Sequence, residues 1–346
     1  MRDITKRFGS VVANDRVWLD IYRGEILALL GENGSGKTTL MNMLSGIYFP
    51  DEGQILIDGE EVVIRSPRDA YRYGIGMIHQ HFKLVDVFTA AENITLGLDE
   101  KLDLKATAAR IRSICERYGF DLDPNQKIYD MSVSQKQTVE IVKALYRGAD
   151  ILILDEPTAV LTPQEIDELM ATMKEFAREG KSILFISHKL NEIMAVADRV
   201  TVLRKGKCIG TVNTCDTNKQ ELSNMMVGRP VQLVIDKTQA RPGEEILHVE
   251  DLCVLSHLHK RNAVDHVSFS VRAGEIVCIA GIDGNGQTEL IHGLTGLDKI
   301  TGGSVTLCGE TITHASIRRR GRNMSHIPED RHKHGLVLDY TLEDNM

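Results

Sequence analysis

Short apolar runs alternate with longer amphipathic stretches along the first two thirds of the chain. Four of these runs are bounded by polar residues: Glu25–Leu30, Gly74–Ile78, Ile151–Leu154 and Ser182–Ile186. Runs of this kind are typical of buried parallel strands. A shorter run at Gln54–Ile57 predicts another strand, and Lys37–Gly46 predicts a helix. Residues from about 90 to 145 have a mostly helical pattern with a break at Tyr118–Lys127. The alternation predicts an α/β fold with a helical insertion.

An internal repeat is the clearest organisational feature. Seven glycines recur 250 residues further on: Gly24, Gly31, Gly34, Gly36, Gly46, Gly53 and Gly59 match Gly274, Gly281, Gly284, Gly286, Gly296, Gly303 and Gly309. Such register predicts two copies of one domain. We place the first copy at residues 1–229, a polar linker at 230–245 and the second copy at 246–346. The second copy is predicted to be partial, because Thr341–Asn345 correspond to Thr89–Asn93. The first strand also looks short of a few residues.

Composition narrows the function classes. The 346 residues are 42% apolar and 26% charged, with a net charge of −8. This balance is ordinary for a globular protein and argues against a nucleic-acid binder. The dense basic run, Arg318–Arg320 with Arg322, is interpreted as a solvated helix face. Six cysteines show no Cys-x-x-Cys pair. Stretches such as Ile276–Ala280 predict buried, reduced thiols and a reducing compartment.

Residues Gly31–Thr38 carry the most specific chemical motif. The sequence satisfies G-x-x-x-x-G-K-[ST] and lies between a predicted strand and a predicted helix, which is the context that a phosphate-binding loop requires. Backbone N–H groups and the helix start would surround a triphosphate. Lys37 is expected to reach the β- and γ-phosphates, and Thr38 to bind Mg²⁺. The predicted ATP-binding residues here are Gly31, Glu32, Asn33, Gly34, Ser35, Gly36, Lys37, Thr38 and Thr39.

Further polar residues follow other predicted strands of the sheet. Asp155 and Glu156 end the strand Ile151–Leu154, where α/β folds place their ligands. Such a pair taken alone is more often a helix cap. Beside a phosphate loop, Asp155 suits Mg²⁺ and Glu156 suits an attacking water. Gln80 and His188 follow two more strands. His188 could also be an ordinary strand-end histidine, and a metal site at His79 and His81 beside Gln80 is disfavoured because no third ligand is nearby.

The segment Asp130–Gln135 adds a family resemblance. Its Ser132, Val133, Ser134 and Gln135 resemble the Leu-Ser-Gly-Gly-Gln signature of ABC transporters. The chain is thereby identified as similar to ABC nucleotide-binding domains, which are P-loop NTPases with a RecA-like core and a helical subdomain, here at about 90–145. The resemblance implies roles for other residues: Phe8 stacks on adenine, Asp155 and Glu156 form the Walker B pair, and His188 is the switch histidine. Gln80 is the Q-loop residue and a Mg²⁺ ligand, and with Glu156 and His188 it is a predicted catalytic residue.

A finer resemblance concerns what the ATPase drives. Gly76–Val85, Glu156–Pro163 and Ile327–Arg331 are similar to the double-domain ATPases of simple-sugar and nucleoside importers, most of all the nucleoside branch. The resemblance implies transmembrane permease subunits, an extracellular solute-binding lipoprotein and a location at the cytoplasmic face of the membrane. It also implies an ATP-dependent contact between domains or between two copies of the chain.

The two phosphate loops are unequal. Gln287 replaces the lysine in the second loop, and Val133 and Ser134 replace glycines in the first signature. In this family each ATP lies between the loop of one domain and the signature of another. We therefore expect one hydrolytic site in the complete protein, and slow hydrolysis by this chain alone.

Three alternatives to a nucleoside importer stay open at this point. One is an importer for simple sugars such as ribose or galactose. Another is an ATPase acting on ribosomes or DNA, which would usually carry long charged linkers or insertions that this sequence lacks. The third is an ATP-binding fragment that does not hydrolyse its nucleotide.

Overall fold

A computed structural model describes residues 1–79, 82–98, 103–158, 161–232, 238–256, 261–281 and 284–346. The chain forms two compact units, Met1–Val234 and Ile235–Met346. Within the described ranges, no helix has both the length and the apolar character that a bilayer-spanning segment needs.

The first unit contains ten strands and eight α-helices among its described residues. The strands are β1 (Arg2–Phe8), β2 (Val11–Val17), β3 (Ile26–Leu30), β4 (Glu52–Ile57), β5 (Glu60–Val62), β6 (Ile75–Ile78), β7 (Ile151–Asp155), β8 (Ser182–Ile186), β9 (Arg199–Arg204) and β10 (Lys207–Asn213). The helices are α1 (Lys37–Leu44), α2 (Pro67–Arg72), α3 (Ala90–Thr95), α4 (Leu104–Tyr118), α5 (Val133–Tyr146), α6 (Pro163–Arg178), α7 (Leu190–Val196) and α8 (Lys219–Val227).

A mostly parallel sheet organises this unit. Its strand order is β10-β9-β3-β8-β7-β6, and only the β9–β10 pair among these is antiparallel. Alternate residues of β3 enter different cores: Ile26, Ala28 and Leu30 pack on one face, and Leu27 and Leu29 on the other. A continuous apolar run is needed because the strand is covered on both faces. The predicted α/β fold is confirmed.

The remaining elements of the first unit flank this sheet. The first two strands of the chain belong to an antiparallel sheet of order β2-β1-β4-β5. Helices α3, α4 and α5 share a separate apolar core that includes Ile94, Ile111 and Val142. The predicted helical insertion at about 90–145 therefore has its own packing, and α4 ends at Tyr118, where the predicted break begins.

The second unit is built on an antiparallel sheet. Its strands are β11 (Glu245–Leu255), β12 (Asn262–Arg272), β13 (Ile300–Leu307) and β14 (Glu310–Thr311), in the order β12-β11-β13-β14. Its helices are α9 (Gln287–Thr295), α10 (Ile317–Arg320), α11 (Arg331–His334) and α12 (Leu342–Asn345). One core packs α9 against β11 through residues such as Leu290 and Val254.

The predicted burial of the thiols is wrong for three of the six cysteines. Cys215, Cys278 and Cys308 are exposed. Around Cys278, residues 275–280 form no strand, and Ile276 is 90% exposed. The equivalent strand of the first unit, β3, is buried between β8 and β9. An apolar run does not bury itself without neighbouring strands, because sheet burial needs partners on both edges and layers on both faces.

The predicted solvated face of the basic run is also wrong at one position. Arg320, at the end of α10, is 4% exposed. Its guanidinium donates hydrogen bonds to the carbonyl oxygens of Gly293, Leu294, Thr313 and Ala315, at 2.6 to 3.0 Å. Burial lowers its pKa, but the carbonyl dipoles satisfy the charge. An arginine in a charged run can thus have a structural role, because the five N–H donors of its guanidinium can bind several buried carbonyl oxygens at once.

Candidate functional site

Two glycines of the loop between β3 and α1 have no room for a side chain. A Cβ at Gly31 would lie 2.4 Å from the carbonyl oxygen of Leu203, and one at Gly36 would lie 2.3 Å from that of Ala13. Gly36 also has a φ of 95°, in the left-handed region that favours glycine. The shape of the loop therefore depends on these glycines.

The start of α1 is suited to an anion. The helix has no side-chain cap and no acidic residue in its first turn, so its first N–H groups keep their partial positive charge. The hydroxyl oxygen of Ser35 is buried in the same loop, without a hydrogen-bond partner among the described residues. Buried polar groups normally have partners. A phosphate oxygen would supply one, so the residues present fit a bound nucleotide.

Lys37 folds back onto the loop. Its Nζ donates hydrogen bonds to the carbonyl oxygens of Gly31 and Glu32, at 2.8 and 3.0 Å. Burial lowers its pKa, against the opposing effect of the Glu156 and Asp155 carboxylates. The ammonium is thus held by neutral carbonyls beside two acids, and a triphosphate would give it a stronger ionic partner.

The sheet register brings the two acids close to this loop. Asp155 at the end of β7 lies beside Ile186 of β8, and Ile186 also lies opposite Leu29 of β3. The carboxyl ends of the three strands therefore meet at one edge. Asp155 is 7% exposed, and burial, followed by the Glu156 charge, raises its pKa to about 6. A divalent cation would stabilise the ionised form of Asp155, which burial disfavours, so this carboxylate fits a Mg²⁺ ligand.

Glu156 and His188 form a pair at the same edge. Oε1 of Glu156 lies 3.1 Å from Nδ1 of His188, and the N–H of Glu156 donates to the carbonyl oxygen of Ile186 at 3.0 Å. Glu156 has a φ of 47°, a left-handed conformation that costs a non-glycine residue on the order of 1–3 kcal/mol. The strained backbone directs the carboxylate of Glu156 towards the imidazole.

Three other predicted nucleotide-binding residues differ in their exposure to solvent. Thr38 is exposed in the first turn of α1, and Thr39 is half-buried beside it. Phe8 ends β1 with 43% exposure. Its ring meets Tyr48 edge-on at a centroid distance of 5.2 Å, and the Lys6 ammonium lies 5.6 Å from its centroid. Phe8 therefore offers an accessible ring for stacking.

The signature segment begins α5. Ser132 caps the helix and forms a capping box with Gln135, and its hydroxyl lies 3.0 Å from that of Ser134. Val133 is exposed at the first helical position. Ser132 thus keeps the serine of the family signature, whereas Val133 and Ser134 present an apolar side chain and a hydroxyl group where that signature has glycines.

Two structural links were not predicted from the sequence. The Gln137 amide donates to the carbonyl oxygen of Pro157 at 3.0 Å, which ties α5 to the loop after β7. Buried Glu192 accepts hydrogen bonds from Thr158 at 2.7 Å and Ser187 at 3.1 Å, which ties that loop to the residue before His188. Single polar residues inside helices carry no pattern that identifies such partners, so only the folded chain reveals them.

Gln80 lies outside the described residues, so its predicted role stays a prediction.

The second phosphate loop, Gly281–Thr288, is described in part. Gly286 has a φ of 91°, close to that of Gly36, and Gln287 begins α9 in the position of Lys37. The first turn of α9 contains Glu289, whose negative charge opposes an anion at that helix start. The second loop therefore keeps the turn but loses the charge.

Comparison with known proteins places this arrangement in a family. The ABC transporter family model matches residues 14–159 and 264–345. The chain is 52% identical over 351 residues to the nucleoside import ATP-binding protein NupA of Lactococcus lactis, covering 100% of this chain and 69% of that protein. Its similarity to the guanosine import ATP-binding protein NupO of Bacillus subtilis has the same identity and coverage. The glucose import ATP-binding protein TsgD13 of Haloferax volcanii is 43% identical over 378 residues, with 100% and 68% covered.

Solved structures agree on the fold. A nucleotide-free ATP-binding cassette from an ABC transporter matches with a TM-score of 0.57 at 23% identity, over 66% of this chain and 94% of that one. The cbiO1 subunit of the Clostridium perfringens cbiONQ complex matches with a TM-score of 0.55 at 27% identity, over 62% and 88% of the two chains. The chain belongs to the ABC transporter family and is one of its ATP-hydrolysing subunits.

Proposed function

We propose that this chain binds Mg-ATP at Gly31–Thr38 and hydrolyses it to power the import of nucleosides. The observation that carries the ATP site is the meeting of one buried ammonium and two carboxylates at one sheet edge. Lys37, Asp155 and Glu156 are close enough for each acid to affect the pKa of the lysine. A triphosphate with its cation would pair with the Lys37 ammonium and the Asp155 carboxylate, and it would give the buried hydroxyl of Ser35 a hydrogen-bond partner.

Each group has a distinct task in this proposal. Lys37 would leave the loop carbonyls for the β- and γ-phosphates. Thr38, Asp155 and Gln80 would hold Mg²⁺, which would neutralise charge on the phosphate oxygens. Glu156 orients or deprotonates the attacking water. His188, which lies 3.1 Å from Glu156, would contact the γ-phosphate. Phe8 stacks on the adenine.

We assign hydrolysis to the first loop alone. Gln287 has no charge for the phosphates, and Glu289 repels an anion from the start of α9. Val133 and Ser134 replace signature glycines and would hinder close backbone approach to a γ-phosphate. Residues 1–229 would then be the hydrolytic domain, and 246–346 a degenerate partial copy joined by the linker 230–245.

The nucleoside assignment rests on similarity. Relatives named for nucleoside and guanosine import are 52% identical to the chain, against 43% for glucose import and 42% for ribose import. As a subunit of such an importer, the chain would dock on transmembrane permeases at the cytoplasmic face of the membrane and receive solute through an extracellular binding lipoprotein. ATP would close two ATPase domains on each other.

The ATP site can be tested with one pair of variants. Lys37→Ala removes the ammonium, and Gln287→Ala makes the matching change in the second loop. Because hydrogen bonds to charged groups contribute about 1.5–3 kcal/mol, Lys37→Ala should weaken Mg-ATP binding by about 10- to 100-fold in isothermal titration. Gln287→Ala should leave this affinity unchanged. Equal effects of the two changes would contradict the assignment.

Hydrolysis and binding can be separated at Glu156. Glu156→Gln keeps size and hydrogen bonding but removes the base, so ATP should still bind while turnover falls by about 100-fold or more. Steady-state phosphate release, measured with permease-containing membranes, checks the second quantity. Unchanged turnover would exclude Glu156 from the hydrolytic step.

The solute is tested by uptake. In cells that make the complete transporter, Lys37→Ala should abolish uptake of radiolabelled guanosine, and Gln287→Ala should not. Loss of ribose uptake with guanosine uptake intact would favour the sugar importer and leave the ATP site unaffected.

A further inference from the structure

A cluster of metal-ligating side chains lies in the second unit, away from both phosphate loops in sequence. Cys253 on β11 and Asp265 and His266 on β12 place one ligand atom each within 4.8 Å of one another. Ligands of tetrahedral Zn²⁺, bound at about 2.0–2.3 Å from the metal, are separated by about 3.5 Å. Asp265 and His266 are exposed, so small rotations of their side chains can close this difference.

The backbone explains why neighbours on one strand point the same way. Adjacent strand residues normally face opposite sides of a sheet. Here the pairing of β11 with β12 shifts register around Leu252, and His266 has a left-handed φ of 51°. Bulges of this kind redirect side chains. The bulge therefore brings Asp265 and His266 to the same thiol.

Neighbouring groups hold each candidate ligand. The backbone N–H of His266 donates to Sγ of Cys253 at 3.4 Å, and the ring atom Nδ1 of His266 lies 3.1 Å from Oδ1 of Asp251. The Asn262 amide donates to Oδ1 of Asp265 at 2.7 Å. Metal-binding histidines and carboxylates are commonly fixed by such outer hydrogen bonds.

The first unit contains the same bulge with other side chains. Asp3 and Arg16 have left-handed φ values of 52° and 47°, and the Arg16 N–H donates to Oγ1 of Thr5 at 3.2 Å, as His266 does to Cys253. Asp15 is paired with Lys207 at 3.1 Å and with Arg16 at 3.6 Å. The bulge thus forms without a metal, and lysine and arginine supply the positive charge there.

In the second unit a thiol replaces the hydroxyl and an imidazole replaces the guanidinium. Asp265 has no ion-pair partner among the described residues of this unit, in contrast to Asp15. We propose that Cys253, Asp265 and His266 bind a zinc-like divalent cation, with Asp251 and Asn262 as outer partners and water as the fourth ligand. Thiolate, imidazole and carboxylate together suit Zn²⁺. On binding, the S–H bond of Cys253 breaks, a sulfur–metal bond forms, and one proton passes to the buffer.

The proposal is tested with Co²⁺ as a spectroscopic probe and Zn²⁺ as competitor, on the whole chain. Cys215, Cys278 and Cys308 are first replaced by serine, because exposed thiols bind these metals themselves. One Co²⁺ per chain should give a thiolate-to-cobalt charge-transfer band that Zn²⁺ abolishes, with release of one proton. Absence of the band overturns the proposal.

Two variants test the ligands, a third tests the outer partner Asp251, and a fourth is the control. Cys253→Thr combined with His266→Arg introduces the residues of the first unit, keeps the bulge and should abolish the band. Asp265→Asn should weaken Zn²⁺ binding, and Asp251→Asn should weaken it by about 10- to 100-fold as an outer partner. Cys115→Ser, at a buried thiol of the first unit, should change nothing. Loss of the band in Cys115→Ser, or unchanged affinity in Asp265→Asn, overturns the assignment even if the double variant unfolds.

Discussion

Replacement of Asp155 by asparagine should make the nucleotide-free chain more stable and should abolish most of its binding of Mg-ATP. Burial and the charge of Glu156 raise the pKa of Asp155 from 3.8 to about 6. The folded chain therefore binds more protons than the unfolded chain between these pH values, and stability falls as pH rises through about 6. At neutral pH the ionised carboxylate destabilises the folded state by its full amount. Asp155→Asn removes this charge.

The magnitude follows from the size of the pKa change. A rise of about two pH units corresponds to about 3 kcal/mol. The pKa of about 6 already includes the opposing effect of the Lys37 ammonium, so about 3 kcal/mol is the upper end of the expected range. We expect Asp155→Asn to raise the free energy of unfolding by about 1–3 kcal/mol at pH 8, and by about half as much at pH 5. In a unit of this size the melting temperature should rise by about 2–4 °C per kcal/mol.

Thermal unfolding at pH 5 and pH 8, with and without Mg-ATP, measures both effects. Ligand at 100 times its dissociation constant stabilises a protein by about 2.7 kcal/mol, and the variant should lose most of this gain. Asp167→Asn, at an exposed position of α6, is the matched control and should change neither quantity. An Asp155→Asn chain that is less stable than the original, or equally stabilised at both pH values, would refute the electrostatic reasoning.

Three further changes test other parts of the structure. Gly36→Ala introduces a Cβ 2.3 Å from the Ala13 carbonyl oxygen at a φ of 95°, so ATP binding should be lost and the first unit should melt earlier. Arg320→Leu should destabilise the second unit by about 2–4 kcal/mol in denaturant unfolding, because it leaves buried carbonyls unpaired, whereas exposed Arg318→Leu should have little effect. Phe8→Ala should weaken ATP binding by about tenfold in titration, since aromatic stacking on a base contributes about 1–3 kcal/mol.

Local patterns carried the prediction of the fold and of most candidate site residues. Strands such as Ser182–Ile186 could be predicted because a strand covered on both faces must be apolar throughout. The loop at Gly31–Thr38 could be predicted because close approach to phosphate restricts several positions to glycine and demands a cation. The unequal loops followed from a single residue, Gln287.

The burial and the contact partners of individual side chains depend on the folded structure and could not be predicted from local patterns. The same kind of apolar run is buried in β3 and exposed around Cys278, because only β3 has strands on both edges. Arg320 and Arg318 lie in one basic run, yet only Arg320 reaches buried carbonyls. Sequence by itself determined which residue types stand in which order, and hence the loop, the sheet and the repeat. Tertiary structure alone decided which side chains are desolvated and which distant groups meet, because burial and partnership depend on elements far apart in the chain.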